Sequence, residues 1–477
     1  MALDISEPLC ISPNHFDMDK HFYPKVLNAQ LNPLIRHFIH MNNQRIVSRY
    51  CHLNPHTNAE ALLRILEQPC RHLPWAGCDL MHVTNAFGHR QMVVIETNSS
   101  PSGQKSMPID NEEEESNGYG KVVRSLVLPH FRHKKNGILA VLFDKNFMEA
   151  SGYAAAMADE LDEEVWLIPC EDGGPSFLMN DGQQLFLNYQ GSVQPIRFAY
   201  RYVTQRPWNR LPIGSKTAMV NPIIGCLAGG RNKALAAKAY DLYNAKIKNF
   251  GLKINTPQTI WDVHFEEIPL WVERLGGFAA IKVPYSNAGQ GVYTITSADE
   301  FAIFQNEDSR HYERYIVQSL IGHYQWSSGI NDSERLFHVG TIPNKHGQIF
   351  VSDLRMMVSY TEKGWRPVAM YARRTRKPIQ PTVNNDSWEM LGTNLSYKDE
   401  SGQWSTESNR LLLMDERDFN RLGLSMDELI EAYVQTVMAV QSINEMGENL
   451  LNSKRKLRRR LFSSMVNDQS LSEEVMG

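Results

Sequence analysis

Three groups of residues in this 477-residue chain carry side chains suited to phosphate chemistry. The first is rich in oxygen. Asp79 to Val83 and Gln91 to Asn98 are apolar runs separated by a short loop containing Gly88, the pattern of a β-hairpin. Alternation along the second strand puts Glu96 and Asn98 on one face, with Val93, Ile95 and Thr97 on the other. A turn centred near Phe87 and Gly88 sets Asp79 opposite Glu96. Like charges facing each other across a strand pair repel unless a cation lies between them. Oxygens of Asp79, Glu96 and Asn98 converging at a strand end suit Mg²⁺, with Mn²⁺ as a substitute, the remaining positions going to water and nucleotide phosphate. The polar loop Ser99 to Ser106 follows directly and is placed to close over a ligand.

The second group is cationic. Ala279-Ala280-Ile281 is an apolar run ending in Lys282. A small-residue loop containing Ser286, Asn287, Gly289 and Gly291 follows, and Val292 to Ile295 resumes the apolar pattern, so the stretch reads as strand, loop, strand. Small residues let backbone N–H groups approach anionic oxygens, and the ammonium supplies charge. Most lysine-and-glycine hairpins are ordinary turns, so the phosphate reading depends on the rest of the chain. Lys233, in Gly229-Gly230-Arg231-Asn232-Lys233, opens a helical stretch to about Phe250 and is a second cation within reach of a nucleotide. The third group is Arg355, Arg373 and Arg374, on apolar runs that read as strands over 349–360 and 367–374. Buried arginines need carboxylate or phosphate partners. Asp353 shares a strand face with Arg355, so a purely structural Asp353–Arg355 pair is the alternative.

The elements that must position these residues are those of an α/β protein. Ile138 to Phe143, Met148 to Leu161 and Glu164 to Pro169 read as strand, helix, strand, the unit of a parallel sheet, with further strands at 183–189 and 196–202. No G-x-G-x-x-G follows the first of these strands, so a dinucleotide site has little support. Helices are expected over 58–66, 298–305 and 426–443, and strands over 315–321 and 337–342. His37 and His40 have the spacing of a helical metal pair but read more simply as one face of a helix, and His130 and His133 as structural. The run Glu112 to Glu115 reads as a solvated loop. The basic segment Lys454 to Arg460 reads as a solvated terminal helix.

Composition narrows the class. A net charge of −4 gives no general attraction to nucleic acid or to anionic membranes. Six cysteines without C-x-x-C spacing read as reduced, mostly buried thiols in a cytoplasmic protein. No apolar run reaches the length of a membrane span, and no basic-then-apolar leader opens the chain.

Taken together, these pieces resemble the ATP-grasp superfamily of carboxylate–amine ligases, which includes D-alanine–D-alanine ligase. Asn232-Lys233, and later Gly251 with Thr256-Pro257, are similar to its opening helix and first strand. Lys282 with 286–291 is similar to its nucleotide lysine and phosphate-covering loop. Gln318, Ser319 and Leu320 resemble the hinge strand whose backbone meets adenine, and Arg355, Arg373, Arg374 and Asn394 the residues near the reacting phosphoryl group. The family's metal signature belongs at the end, yet here Asp79 and Glu96-Thr97-Asn98-Ser99-Ser100-Pro101 stand at the front. The resemblance therefore implies a circularly permuted ATP-grasp fold, an arrangement tolerated where termini lie close together. Two departures stand out. The spacing from Lys233 to Gly251 is long, which makes Lys238 a rival for the role of Lys233, and Ser319 occupies a position that is acidic in many relatives.

The implied division is residues 1–135 carrying the permuted metal part, a small pre-ATP-grasp-like α/β domain over 136–230, nucleotide-binding subdomains over 231–445 and a basic tail over 446–477. The implied activity joins a carboxylate to an amine through an acyl phosphate, releasing ADP and phosphate, with ATP and Mg²⁺ as cofactors. Its substrates are small molecules or peptides rather than nucleic acid, and a homo-oligomer is left open. One alternative is a phosphotransferase at the same nucleotide site, although P-loop and kinase motifs are absent from the sequence. The other is a non-catalytic nucleotide-binding scaffold.

Overall fold

The hairpin expected around Phe87 and Gly88 forms between strands Trp75–Asn85 and Arg90–Ser99. Asn85 Oδ1 accepts the N–H groups of Phe87 and His89, each at 3.0 Å, and Gly88 takes φ +78°, a conformation that glycine adopts without strain. The register sets Asp79 against Glu96 and Gly77 against Asn98. It slips between Asp79 and Leu80, leaving Ile95 as the extra residue of a bulge, a device that re-aims side chains. Trp75, Ala76, Cys78 and Leu80 are fully buried.

The computed structural model describes residues 6–111, 114–131, 136–173, 176–285, 291–306, 312–383, 385–398 and 404–476. The hairpin belongs to a six-stranded antiparallel sheet in which Trp75–Asn85 also pairs with Ser352–Thr361, which pairs in turn with Gly364–Arg374. Strands from near the front of the chain and from its last third thus form one sheet, the site sheet. The expected strand over 337–342 is confined to Leu336–His338 at the edge of this sheet. Pro367 lies inside a strand, where its missing N–H is accommodated by a register shift between Met357 and Val358.

A second sheet of four strands, ordered Thr259–Val263, Tyr315–Ser319, Ala279–Lys282, Val292–Ile295, has its own core built on Ile281, Ile295, Phe304, Tyr315 and Val317. The third sheet contains the expected parallel unit. Ile138–Phe143 pairs in parallel with Val165–Pro169 across the helix Phe147–Leu161, and on its other edge with Ser192–Tyr202. Trp75 packs at 5.2 Å from Tyr153, which stacks on Tyr200 at 4.7 Å, so aromatic rings join the hairpin to this layer.

The helix Met426–Leu450 is longer than expected. It starts with a Ser425/Glu428 capping box and packs on Arg90–Ser99 and on the helix Lys233–Ile247. The basic run Lys454 to Arg460 is exposed apart from Leu457 and helical only from Arg459, but the chain around and beyond it docks on the protein. Helices Arg459–Val466 and Gln469–Met476 bury Phe462, Val466 and Leu471. The Glu474 carboxylate accepts from Arg206 Nε at 2.8 Å and from the Trp208 N–H at 2.7 Å. The Gln469 N–H donates to Glu313, and the Tyr285 hydroxyl bonds Asp468. Basic composition hid this docking because the apolar residues that make it are few and lie beyond the charged run. His40, one of the histidines with metal-pair spacing, bonds Asp110 at 3.0 Å. All six cysteines are unpaired, and among the described residues no helix is long and apolar enough to cross a membrane.

Glu474→Ala leaves the Arg206 guanidinium and the Trp208 N–H short of an acceptor, and should lower stability by about 1–3 kcal/mol in urea unfolding. An unchanged midpoint would contradict the docking of the terminal helices.

Candidate active site

The site sheet brings opposite charges together by register. Arg355 lies directly across from Asp79, and Arg373 directly across from Asp353. Arg355 grips Asp79 with two bonds, Nε to Oδ1 at 2.5 Å and Nη2 to Oδ2 at 2.7 Å. Arg373 reaches Asp79 Oδ2 at 2.8 Å and bonds both oxygens of Asp353. Thr393 Oγ1 donates to Asp353 at 2.8 Å. The pairing expected within one strand, Asp353 with Arg355, is therefore replaced by cross-strand pairs, because directly opposed residues are closer than residues two apart on one strand. Burial pushes the Asp79 carboxyl up, but the charges of Arg355 and Arg373 outweigh it and hold the group well below the usual carboxylate range. Arg374 points away, its guanidinium 4.8 Å from the Phe350 ring centroid, because consecutive strand residues face opposite sides.

Across from these groups stand the lysines. Lys282 ends its strand opposite Val292 and is 6% exposed. Burial lowers its pKa to about 8, with Glu96 opposing that shift and Lys233 adding to it. Lys233 opens its helix behind the cap Asn232, donates its backbone N–H to Pro284 O, and lies 3.6 Å from Glu96. Lys238, the rival for its role, is turned away and bonded to Asp262 at 2.6 Å. Arg231 bonds Asn98 Oδ1 at 3.2 Å and the carbonyls of Ser99 and Ser100. The preceding turn requires glycine. Gly229 has φ +145°, and a Cβ on Gly230 would lie 2.6 Å from Gly225 O.

These residues line one cavity of about 670 Å³, within the roughly 300–1,000 Å³ of small-molecule sites. It gathers Asp79, Glu96, Asn98, Lys233, Lys282, Gln318, Ser319, Leu320, Arg355, Arg373 and Asn394, and leaves out Arg374 and Gly291. Gly291 closes the base of its loop, its carbonyl accepting from Val283 N at 2.8 Å. Ser286, Asn287 and Gly289 lie outside the described residues. The hinge differs from expectation at Leu320, whose N–H donates to Ser328 Oγ at 2.6 Å and whose carbonyl accepts from Ser328 N at 3.1 Å. The next donor along that wall is the Ile321 N–H, which has no partner among the described residues.

Lys145, Asn146, Tyr371 and Arg231 also line the cavity and were missed as site residues, and Ser102 and Lys105 join them from the polar loop expected beside a ligand. A signal for Lys145 existed in its place at the end of a parallel strand, just before a helix, where open α/β sheets present their ligand-binding loops. Arg231 stood two residues from Lys233 in the same glycine turn.

Among the described residues no cluster of three His, Cys, Asp or Glu side chains is arranged to hold a metal ion. Glu96 and Asn98 nevertheless face the cavity together, with Asn98 Oδ1 accepting from Arg231 at 3.2 Å. A carboxylate and an amide oxygen are a donor set suited to a divalent ion that takes its other ligands from phosphate and water. Asp79 stands beside them with both oxygens bonded to arginine.

No protein-family model and no curated protein matches this chain. Among solved structures, an apo-form glutathione synthetase-like effector from Globodera pallida is similar at 9% identity and a TM-score of 0.39, covering 77% of this chain and 88% of that one. A RimK domain ATP-grasp protein from Sphaerobacter thermophilus matches at 14% identity and 0.28, covering 49% and 89%. D-alanyl-alanine synthetase A from Vibrio cholerae matches at 12% and 0.31, covering 50% and 88%. Likenesses this distant establish neither a shared activity nor a shared substrate.

Asp79→Asn should cost about 3–5 kcal/mol, because it leaves the buried Arg355 guanidinium without an anion and Arg373 with Asp353 alone. A change below about 1 kcal/mol in urea unfolding would contradict the pairing. The Asp79 carboxyl is held below its unfolded value, so its contribution is present above that unfolded value and fades as pH falls toward the folded one.

Proposed function

We propose that the chain is an ATP-dependent carboxylate–amine ligase with a circularly permuted ATP-grasp arrangement. The observation that carries this reading is the placement of Lys282 and Lys233 against Glu96 and Asn98 in one cavity, although the two sets are far apart in sequence. The permutation is supported by the site sheet, where the hairpin bearing Glu96 precedes the four-stranded sheet in sequence but pairs with strands that follow it.

Activation of a carboxylate by ATP brings anionic groups together, so a site for it must supply positive charge and exclude water. In this reading Lys282 and Lys233 hold the phosphates. Glu96 and Asn98 would hold Mg²⁺, with Asp79 beside them bonded to Arg355 and Arg373. The metal supplies charge screening between the phosphate oxygens. Arg355 and Arg373, kept cationic by Asp79 and Asp353, face the transferring phosphoryl group. The substrate carboxylate takes that group, ADP departs, and an amine then attacks the acyl carbon, forming the amide as phosphate leaves. The Ile321 N–H is offered to the base of the nucleotide in place of Leu320.

Hydroxylamine tests this without knowledge of the natural amine. With MgATP and a panel of carboxylic acids, at least one acid should give its hydroxamate with stoichiometric ADP, and Glu96→Gln should lower that rate at least about a hundredfold. Phosphorylated alcohol products with no hydroxamate would replace the ligase by a phosphotransferase.

A second prediction concerns pH. Only charged Lys282 attracts phosphate, and its pKa in the free protein is about 8. MgAMP-PNP affinity, followed by calorimetry, should therefore fall as pH rises beyond that value. Lys282→Met should bind more weakly and with most of that decline removed; a decline of equal slope in the variant would assign the titration elsewhere.

A further inference from the structure

Lys282 and Lys233 bring two ammonium groups to one side of the cavity, where like charges repel. The bonds that hold their backbones together lie outside the cavity. Lys233 opens the helix Lys233–Ile247, and Lys282 ends the strand Ala279–Lys282. Against both elements pack the last two helices, Arg459–Val466 and Gln469–Met476, whose residues do not line the cavity.

The first of these helices engages the element of Lys233. Met465 lies in its last turn, where helix carbonyls lack partners within the helix, and the Met465 carbonyl accepts from Lys238 Nζ. Lys238 also bonds Asp262, on the edge strand Thr259–Val263 of the four-stranded sheet, at 2.6 Å. The second helix engages the element of Lys282. Asp468 is 7% exposed, and its Oδ1 caps the helix by accepting the Leu471 N–H at 2.9 Å. The same carboxylate accepts the Tyr285 hydroxyl. The Arg206 guanidinium lies 5.1 Å from the Tyr285 ring centroid and is held there by Glu474 of the same helix.

Tyr285 stands three residues beyond Lys282 and is itself outside the cavity wall. Between them, Pro284 accepts the Lys233 N–H at 2.9 Å, and its fixed φ leaves the short connection little slack. Whatever fixes the ring and hydroxyl of Tyr285 therefore fixes the chain that carries the lysine. The terminal helices can do so because Phe462, Val466 and Leu471 anchor them in the core.

We infer that the last two helices are a strap that positions Lys282 for the nucleotide, with Tyr285 and Asp468 as its positioning residues. The inference rests on the nucleotide part of the ligase reading. It makes phosphate binding depend on residues that touch no part of the ligand and come from the far end of the sequence.

The test is calorimetry of MgAMP-PNP with the full chain. Tyr285→Phe deletes one hydroxyl and Asp468→Ala deletes its acceptor, and each should weaken binding about fivefold, the scale of one hydrogen bond. The double variant should bind no more weakly than Asp468→Ala, because both substitutions break the same bond. In a Lys282→Met background, Tyr285→Phe should have no further effect, a result that general loss of structure would not give. Leu187→Ala, in the separate core of the third sheet, should lower the urea midpoint yet leave affinity within about twofold. Affinity unchanged by both Tyr285→Phe and Asp468→Ala overturns the inference, as does equal weakening with and without Lys282. A natural chain that fails to bind MgAMP-PNP overturns the nucleotide reading and this inference with it, whereas binding that ignores the strap overturns the inference alone.

Discussion

The arrangement of this molecule depends on one buried cluster across three adjacent strands, in which Arg355 and Arg373 share Asp79 and Arg373 also holds Asp353. Each ion alone would be expensive to take out of water, and each is tolerable only because its opposite is directly across the sheet. The cluster therefore locks the register of three strands, since a slip of one residue would send every charge to the apolar face. It also joins the hairpin near the front of the chain to strands nearly three hundred residues later. The same contacts keep two guanidinium groups cationic and fixed at the wall of a cavity, so stability and site geometry come from one set of bonds.

Facing that wall, the electrostatics are different in kind. Lys282 and Lys145 are not paired into neutrality; burial lowers both to about 8, close to the point where the charged form is lost. An unpaired ammonium in such a place is a stored cost that an anionic ligand relieves on binding. The arginine wall is built to stay as it is, whereas the lysines are built to meet something.

Much of the site was legible in the sequence, and for identifiable reasons. The hairpin carried its own turn signal at Gly88, and a turn centred near Phe87 and Gly88 put Asp79 opposite Glu96, a pairing that the structure reaches through the bulge at Ile95. Lys282 and Lys233 were marked by their position at the end of a strand and the start of a helix. What escaped was information held in pairings distant along the chain. Nothing local says that Arg355 prefers Asp79 to Asp353, because that choice is made by which strand lies alongside. The engagement of the Leu320 N–H by Ser328 was also out of sight, since Ser328 comes from the following loop. The terminal helices were hidden by their charge, and Lys145 by the absence of a glycine motif around it.

The choice between Arg373 and Arg374 shows what finally decides membership of the site. Ala280, Lys282, Gln318, Val292 and Thr294 occupy one face of the four-stranded sheet and line the cavity, while Ala279, Ile281, Val317 and Ile295 occupy the other and form its core. The site sheet repeats the division, with Asp79, Met81, Asp353, Arg355, Tyr371 and Arg373 toward the cavity and Leu80, Leu354, Met356 and Ala372 packed behind. Two half-polar sheets turned face to face enclose a space that neither can fill with its own side chains. The period-two rule of the strand thus selects Lys282 over Ile281 and Arg373 over Arg374. The bulge at Ile95 breaks that rule locally, and it lets adjacent residues Ile95 and Glu96 both reach the cavity wall. The carboxylate that faces the lysines is therefore set by an irregularity in the strand, held in place by the regular strands around it.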